Sequence, residues 1–129
     1  MKKGGLSQKI YINGRFLTQS ITGVQRYAHE VVKALDSMID SGEIDKSHYQ
    51  LQILAPGKGI KYDLGLKHIH LQQIGKPTGH LWEQTVLPAG SRDGLLFCPG
   101  NTAPAISLLS GQKTVVTVHD LSYLYFPDA

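Results

Sequence analysis

Short β-branched or aromatic runs alternate with helical stretches along this chain, and that alternation constrains the fold more than any other feature. Residues 9–13 (Lys-Ile-Tyr-Ile-Asn) form one run, closed by Asn13-Gly14, and residues 49–55 form another, stopped by Pro56-Gly57-Lys58-Gly59. Residues 95–98 end at Pro99-Gly100, and residues 113–118 (Lys-Thr-Val-Val-Thr-Val) are nearly all β-branched. A weaker run, 68–74, alternates so that His68 and His70 share one face. Runs bounded by Gly, Pro and Asn read as strands. The 113–118 run lacks a polar face, which is the pattern of a central parallel strand buried on both sides.

Two helices are predicted between the strands. Thr22-Gly23-Val24-Gln25 has the form of a capping box, with Thr22 as N-cap and Gln25 three residues on. Behind it Val24, Tyr27, Ala28, Val31, Leu35, Met38 and Ile39 recur at helical spacing. Arg26, Glu30, Lys33 and Asp36 fall on the opposite face, with Arg26 and Glu30 spaced as an i,i+4 pair. Gly42 stands where a helix C-terminal glycine belongs. A second helix covers residues 79–87, started by Thr78 and stopped near Pro88. Trp82 is its expected anchor on the sheet, packing with Leu81 and Val86.

Strands separated by helices specify an α/β fold, here a Rossmann-like three-layer domain with a mostly parallel sheet of about five strands. The first, fourth and fifth strands are expected side by side. Their carboxyl ends would then open onto one crevice, beside the point where the strand order reverses. Loops 14–22, 99–104 and 119–127 would line it. At 129 residues the chain fits one domain. Residues 1–8 read as a flexible N-terminus and 9–129 as the folded unit.

Composition closes off other classes. A hydrophobic fraction of 41% against 18% charged residues excludes a disordered polyelectrolyte. One cysteine, Cys98, excludes a disulfide framework and points to the cytoplasm. The apolar runs are too short to span a bilayer, and no apolar stretch follows Lys2-Lys3 as a secretory signal requires. The net charge of +3 is spread along the chain. That is too weak for a phosphate-backbone binder, so nucleic acid is not an expected partner. It suits an anionic small molecule, or peripheral contact with the inner face of a membrane.

The candidate chemistry lies at the predicted crevice. Gly14, Arg15 and Gly23 lead into the capped helix, whose free N–H groups at Gly23, Val24 and Gln25 suit a phosphate or carboxylate. The competing reading is that Gly23 permits a tight strand-to-helix turn. No G-x-G-x-x-G fingerprint is present, and Gly57-Lys58-Gly59 lacks the spacing of a phosphate loop. His119-Asp120 follow directly on the 113–118 strand, where α/β folds place their chemistry. The imidazole can act as acid or base; Asp120 can orient it, accept a hydroxyl proton or cap the next turn. Asn101 and Thr102 serve either as turn formers or as ligands in the middle loop. His68-x-His70 lacks a third ligand at convincing spacing, so no metal is expected. Cys98 has no CxxC partner and reads as a small core residue.

Five stretches in a fixed order carry a family likeness. They are Ile10-Tyr11-Ile12-Asn13-Gly14-Arg15-Phe16, Ile21-Thr22-Gly23-Val24-Gln25-Arg26-Tyr27-Ala28, and Leu81-Trp82-Glu83-Gln84 with Leu87-Pro88. Leu96-Phe97-Cys98-Pro99-Gly100-Asn101 follows, then Val115-Val116-Thr117-Val118-His119-Asp120-Leu121 with Pro127. Together they resemble the N-terminal domain of the family-4 (group 1) retaining glycosyltransferases of GT-B fold. The resemblance implies a protein with two Rossmann-like domains that face each other across a cleft. Such an enzyme transfers a sugar from a nucleotide-diphosphate sugar to a glycan or lipid-linked acceptor with retention of configuration. It implies that this domain chiefly holds the acceptor, with Gly14 through Val24 approaching the donor phosphates. His119 would lie against the donor sugar, and Asn101 and Asp120 would serve the acceptor or the loop scaffold. No metal or other cofactor is implied. Because the sequence ends shortly after His119-Asp120, the resemblance also implies a truncated domain, inactive alone and prone to self-association. The residues by themselves equally admit a non-catalytic Rossmann-like module that binds an anionic small molecule.

Overall fold

A computed structural model describes residues 7–100 and 102–118. Strands β1 (Gln8–Asn13), β2 (Tyr49–Pro56), β3 (His70–Ile74), β4 (Leu95–Cys98) and β5 (Thr114–Val116) form one sheet in the order β3-β2-β1-β4-β5. All neighbours run parallel, with Ile12 of β1 opposite Ile53 of β2 and Phe97 of β4. The strand order reverses between β1 and β4, as expected of a Rossmann-like α/β domain.

Helices α1 (Gly23–Asp40) and α2 (Gly79–Gly90) cover opposite faces, and the period of two along each strand sorts its side chains between them. Ile12 of β1 and Leu51 and Ile53 of β2 join Ala28, Val32 and Ile39 of α1 in one layer, with Phe97 of β4 packed against it. Tyr11, Leu54, Leu96 and Cys98 point the other way, toward Trp82 and Leu87 of α2. Trp82 is fully buried, and its indole N–H donates to the Ile74 carbonyl at 2.9 Å, so its one polar atom is satisfied. Among the described residues no helix is long and apolar enough to cross a membrane.

Several local expectations are corrected. Within the described sheet the 113–118 run is not a central strand. Its observed core, β5, lies at the edge of the described sheet with β4 as its neighbour, and Val115 is 49% exposed. A β-branched run satisfies an edge strand as readily as a central one, so composition could not decide between them. The third strand begins at His70, two residues later than predicted. The backbone N–H groups of Lys67, His68 and Ile69 donate to the carboxylate of Asp36, at 2.9, 2.7 and 2.9 Å. His68 therefore stands outside the strand and binds Asp40 through Nε2 at 2.9 Å.

Asp36 was placed on the solvent face of α1, yet it is buried, and so is His29. The buried stripe runs through 28, 29, 32, 36 and 39, while Tyr27 and Met38 are exposed. Glu30 pairs with Lys33 at 3.0 Å rather than with Arg26. Helix α2 continues past the expected stop at Pro88, which sits in the last turn and forgoes one helical bond there. Leu81, expected against the sheet, is 61% exposed. A further short helix, α3 (Ala105–Leu109), follows β4 and was not predicted. Five residues are too few for a helical period to show.

Candidate functional site at the carboxyl ends of β1 and β4

Two loops leave the sheet side by side at the switch point. Beyond β1 the chain makes a 3-10 turn, Gly14–Thr18, and Asn13 caps it by accepting the Arg15 N–H at 3.1 Å. Gly14 is buried against β2, where a Cβ would come within 2.5 Å of Ile53 Cγ2 and 2.6 Å of the Leu54 carbonyl. Close backbone approach therefore accounts for the glycine at 14.

Gly23 is different. A Cβ there would meet nothing within 4 Å, and its φ lies outside the left-handed region, so no internal contact demands glycine. The turn explanation offered for Gly23 does not apply. Thr22 N–H donates to Gln25 Oε1 at 3.0 Å, which realises the glutamine arm of the capping box. The first intrahelical bond runs from Arg26 N–H to the Thr22 carbonyl at 2.9 Å. The amides of Gly23, Val24 and Gln25 thus stand outside the helix's own ladder, at its positive end. The loop after β4 comes to the same place: a Cβ on Gly100 would lie 3.7 Å from Val24 Cγ1.

Beneath these loops lies a buried carboxylate that the sequence reading did not single out. Glu83, on α2 and 1% exposed, accepts from Asn13 Nδ2 at 2.7 Å, Arg15 NH1 at 3.1 Å and Thr102 Oγ1 at 2.9 Å. Two segments far apart in the chain, 13–15 and 102, are tied to one side chain of α2. A signal for it did exist, because Glu83 shares a helical face with Leu87, and an acid on an apolar face needs buried partners. Asn13 Nδ2 also approaches Cys98 Sγ at 3.7 Å. Burial and the neighbouring Glu83 charge push the Cys98 thiol up to about 12, against a smaller opposing effect of that hydrogen bond. A thiol so held is not a nucleophile.

The cleft over this network, lined by Asn13, Arg15, Phe16, Gln19, Glu83, Gly100 and Thr102, encloses about 20 Å³. That is room for one water and too little for a sugar ring, so a ligand must sit on the rim above it. Of the predicted site residues, Arg15 lines this cleft and Val24 stands beside Gly100 of its lining, whereas Gly14 is turned into the packing against β2. Arg15 is bonded inward to Glu83 while its side chain stays 22% exposed. Asn101, His119 and Asp120 lie outside the described residues. Among the described residues no three His, Cys, Asp or Glu side chains converge as metal ligands.

Comparison with protein-family models, with curated proteins and with solved structures found no match to this chain.

Proposed function

We propose that this chain is the acceptor-side, Rossmann-like domain of a retaining glycosyltransferase of GT-B fold, acting on a nucleotide-diphosphate sugar and a glycan or lipid-linked acceptor. The observation that carries the reading is the open start of α1. Gly23 has no internal reason to be glycine, three amides there lie outside the helical ladder, and the Gly100 loop stands beside them. A diphosphate can approach that backbone closely, because no Cβ intervenes and the helix dipole favours negative charge. In this reading Gly23, Val24 and Gln25 hold the donor phosphates, and Arg15 braces the first loop through Glu83. His119 faces the donor sugar, while Asn101 and Asp120 serve the acceptor or its loops. Phosphate neutralisation by backbone amides requires no metal from this chain.

Titration of the isotopically labelled chain with UDP-glucose, GDP-mannose and inorganic phosphate, followed by amide NMR, tests the proposal. The expected outcome is weak, saturable shifts confined to Gly23, Val24, Gln25 and the Gly100 loop, larger for a nucleotide-sugar than for phosphate. Shifts absent from those amides with all three probes refute it. The open helix start also fits a non-catalytic module for small anions. Inorganic phosphate binding as tightly as either nucleotide-sugar would favour that second reading.

A further inference from the structure

A crossover between parallel strands ordinarily carries a helix. Residues 57–69, between β2 and β3, form none, and an extended strap takes its place. Along it Ile60, Tyr62, Leu64 and Leu66 pack onto the α1 layer, while Lys61, Asp63, Gly65 and Lys67 are exposed. The cover is thin: a space of about 420 Å³ lies between those inward side chains and Leu17, Ile53, Ile69 and Leu71. It is also weakly tethered. Among the described residues the only hydrogen bond from 58–66 to the rest of the fold runs from Lys61 N–H to the Leu17 carbonyl at 2.9 Å. Asp63 is engaged within the strap, accepting the Gly65 N–H at 2.9 Å. Gly59 and Gly65 stand near its two ends with φ of +91° and +65°, a region glycine enters freely, so the backbone can turn at both. Beyond them the flanks are fixed, by Gly57 N–H on the Gly75 carbonyl at 3.3 Å and by the three amides at 67–69 on Asp36.

Where the strap meets α1, one buried polar atom is unanswered. His29 is 7% exposed, its ring lies edge-on to Tyr62 of the strap and tilted against Phe16, and its Nε2 has no hydrogen-bond partner among the described residues. In the imidazolium both ring nitrogens are donors, so protonation leaves an N–H at Nε2 buried without an acceptor. Three charges act on the ring, all from α1. Arg26 and Lys33 disfavour the imidazolium, and Glu30, which favours it, is paired with Lys33 at 3.0 Å. From the 3-10 turn the ring meets the neutral Phe16, whose neighbour Arg15 is bonded to Glu83. From the strap it meets Tyr62, flanked by Lys61 and the engaged Asp63. Helix α1 and the 3-10 turn are held by the sheet. The strap, with its single tether, is the neighbour that can yield and let the ring reach water.

We propose that residues 60–66 are an acid-released cover. When His29 takes a proton, the strap swings off its ring and uncovers the apolar floor of Leu17, Ile53 and Ile69, while the sheet stays folded. The device is independent of the transferase reading. A thiol placed on the inner side of the strap by Leu64→Cys reports the opening. Its reaction with 4,4′-dithiodipyridine is measured at pH 7.5 and 5.0, each rate divided by that of glutathione at the same pH. Cys98 is fully buried and serves as the internal control for global unfolding. The normalised rate should rise by about fivefold or more in acid with Cys98 unmodified, and adding His29→Leu should abolish the rise. In the wild-type chain the NMR cross-peak between the His29 and Tyr62 rings should fade over the same interval while the contact between Ile12 and Ile53 persists. A normalised rate that does not rise overturns the proposal, as does a rise that survives His29→Leu or that comes with reaction of Cys98. An undiminished His29–Tyr62 cross-peak at pH 5.0 overturns it without any substitution.

Discussion

The side-chain amide of Asn13, the last residue of β1, donates to the buried carboxylate of Glu83 on α2 at 2.7 Å. Seventy residues of sequence separate the two groups. Their contact fixes the helix against the carboxyl edge of the sheet, where the strand order reverses. Arg15 and Thr102 complete the shell of donors, so the loops after β1 and β4 are positioned by the same two oxygens. A carboxylate this deep is tolerable because every oxygen is answered by a donor.

Removing that charge should be costly. Glu83→Gln keeps the shape but sets an amide N–H₂ against one of the donors and abolishes the Arg15 ion pair; a loss of about 2 kcal/mol is expected. Glu83→Ala leaves three donors unanswered in the interior and should cost about 3–5 kcal/mol. Urea unfolding followed by tryptophan fluorescence suits the measurement, since Trp82 is the neighbouring residue. A loss below about 0.5 kcal/mol in both variants, the range of an ordinary surface substitution, would show that the network does not hold the site together.

The two glycines of the first loop should respond oppositely to a methyl group. Gly14→Ala drives a Cβ into Ile53 and the Leu54 carbonyl, and neither backbone nor core can yield cheaply. Destabilisation by about 1–3 kcal/mol is expected. Gly23→Ala meets open space in the first turn of α1 and should leave stability unchanged or raise it by up to about 1 kcal/mol. Under the proposed function the same change weakens phosphate contact. Thermal melts of the two variants, set beside the nucleotide-sugar titration, separate the roles. Equal destabilisation by both would contradict the contrast.

The layers of the fold were legible because period-two and helical patterns survive averaging over a whole element. Ile10-Tyr11-Ile12 and Leu96-Phe97-Cys98 announce which faces they cover, and Trp82 announces the second helix. Polar groups that work singly were harder to see. Asp36 looked like a solvent-facing acid because its partners are backbone amides at 67–69, and backbone amides leave no trace in a sequence. Glu83 carries no role in the sequence pattern, since its donors come from two distant segments, 13–15 and 102. The position of β5 at the edge of the described sheet was illegible for a third reason. Valines and threonines state that a residue prefers an extended chain, not how many neighbours that chain will have.

His29 should make stability fall in mild acid. Its ring is buried between Phe16, at 5.5 Å, and Tyr62, at 5.2 Å, and Nε2 has no hydrogen-bond partner among the described residues. Burial lowers its pKa from 6.5; the nearby Lys33 and Arg26 charges act in the same direction, and Glu30 opposes them. The unfolded chain therefore binds the proton more readily than the folded one. The stability this contributes is present above pH 6.5 and is lost as the pH falls through 6.5 toward the lower folded value. Unfolding by urea at pH 7.5 and pH 5.5 should show a lower midpoint in acid, and His29→Leu should shrink the difference. An unchanged difference in that variant would remove His29 as the cause.

Asp36 provides the converse case at lower pH. Burial alone would raise its pKa, but N–H bonds from Lys67, His68 and Ile69, with the nearby His68, outweigh burial and hold the carboxyl below 3.8. A group whose folded pKa is depressed stabilises the native state above its unfolded value, and that stabilisation drains away as the pH falls through the folded value. Asp36→Ala removes it at every pH and leaves three amides beside β3 without an acceptor, at an expected cost of about 2–3 kcal/mol. Because those amides precede β3, the loss should be local before it is global. Hydrogen exchange at 67–69 should accelerate more than at β1 or β4, whose bonds do not involve the carboxylate. Uniform acceleration across the sheet would mean instead that Asp36 acts on the whole domain and not on the entry to its third strand.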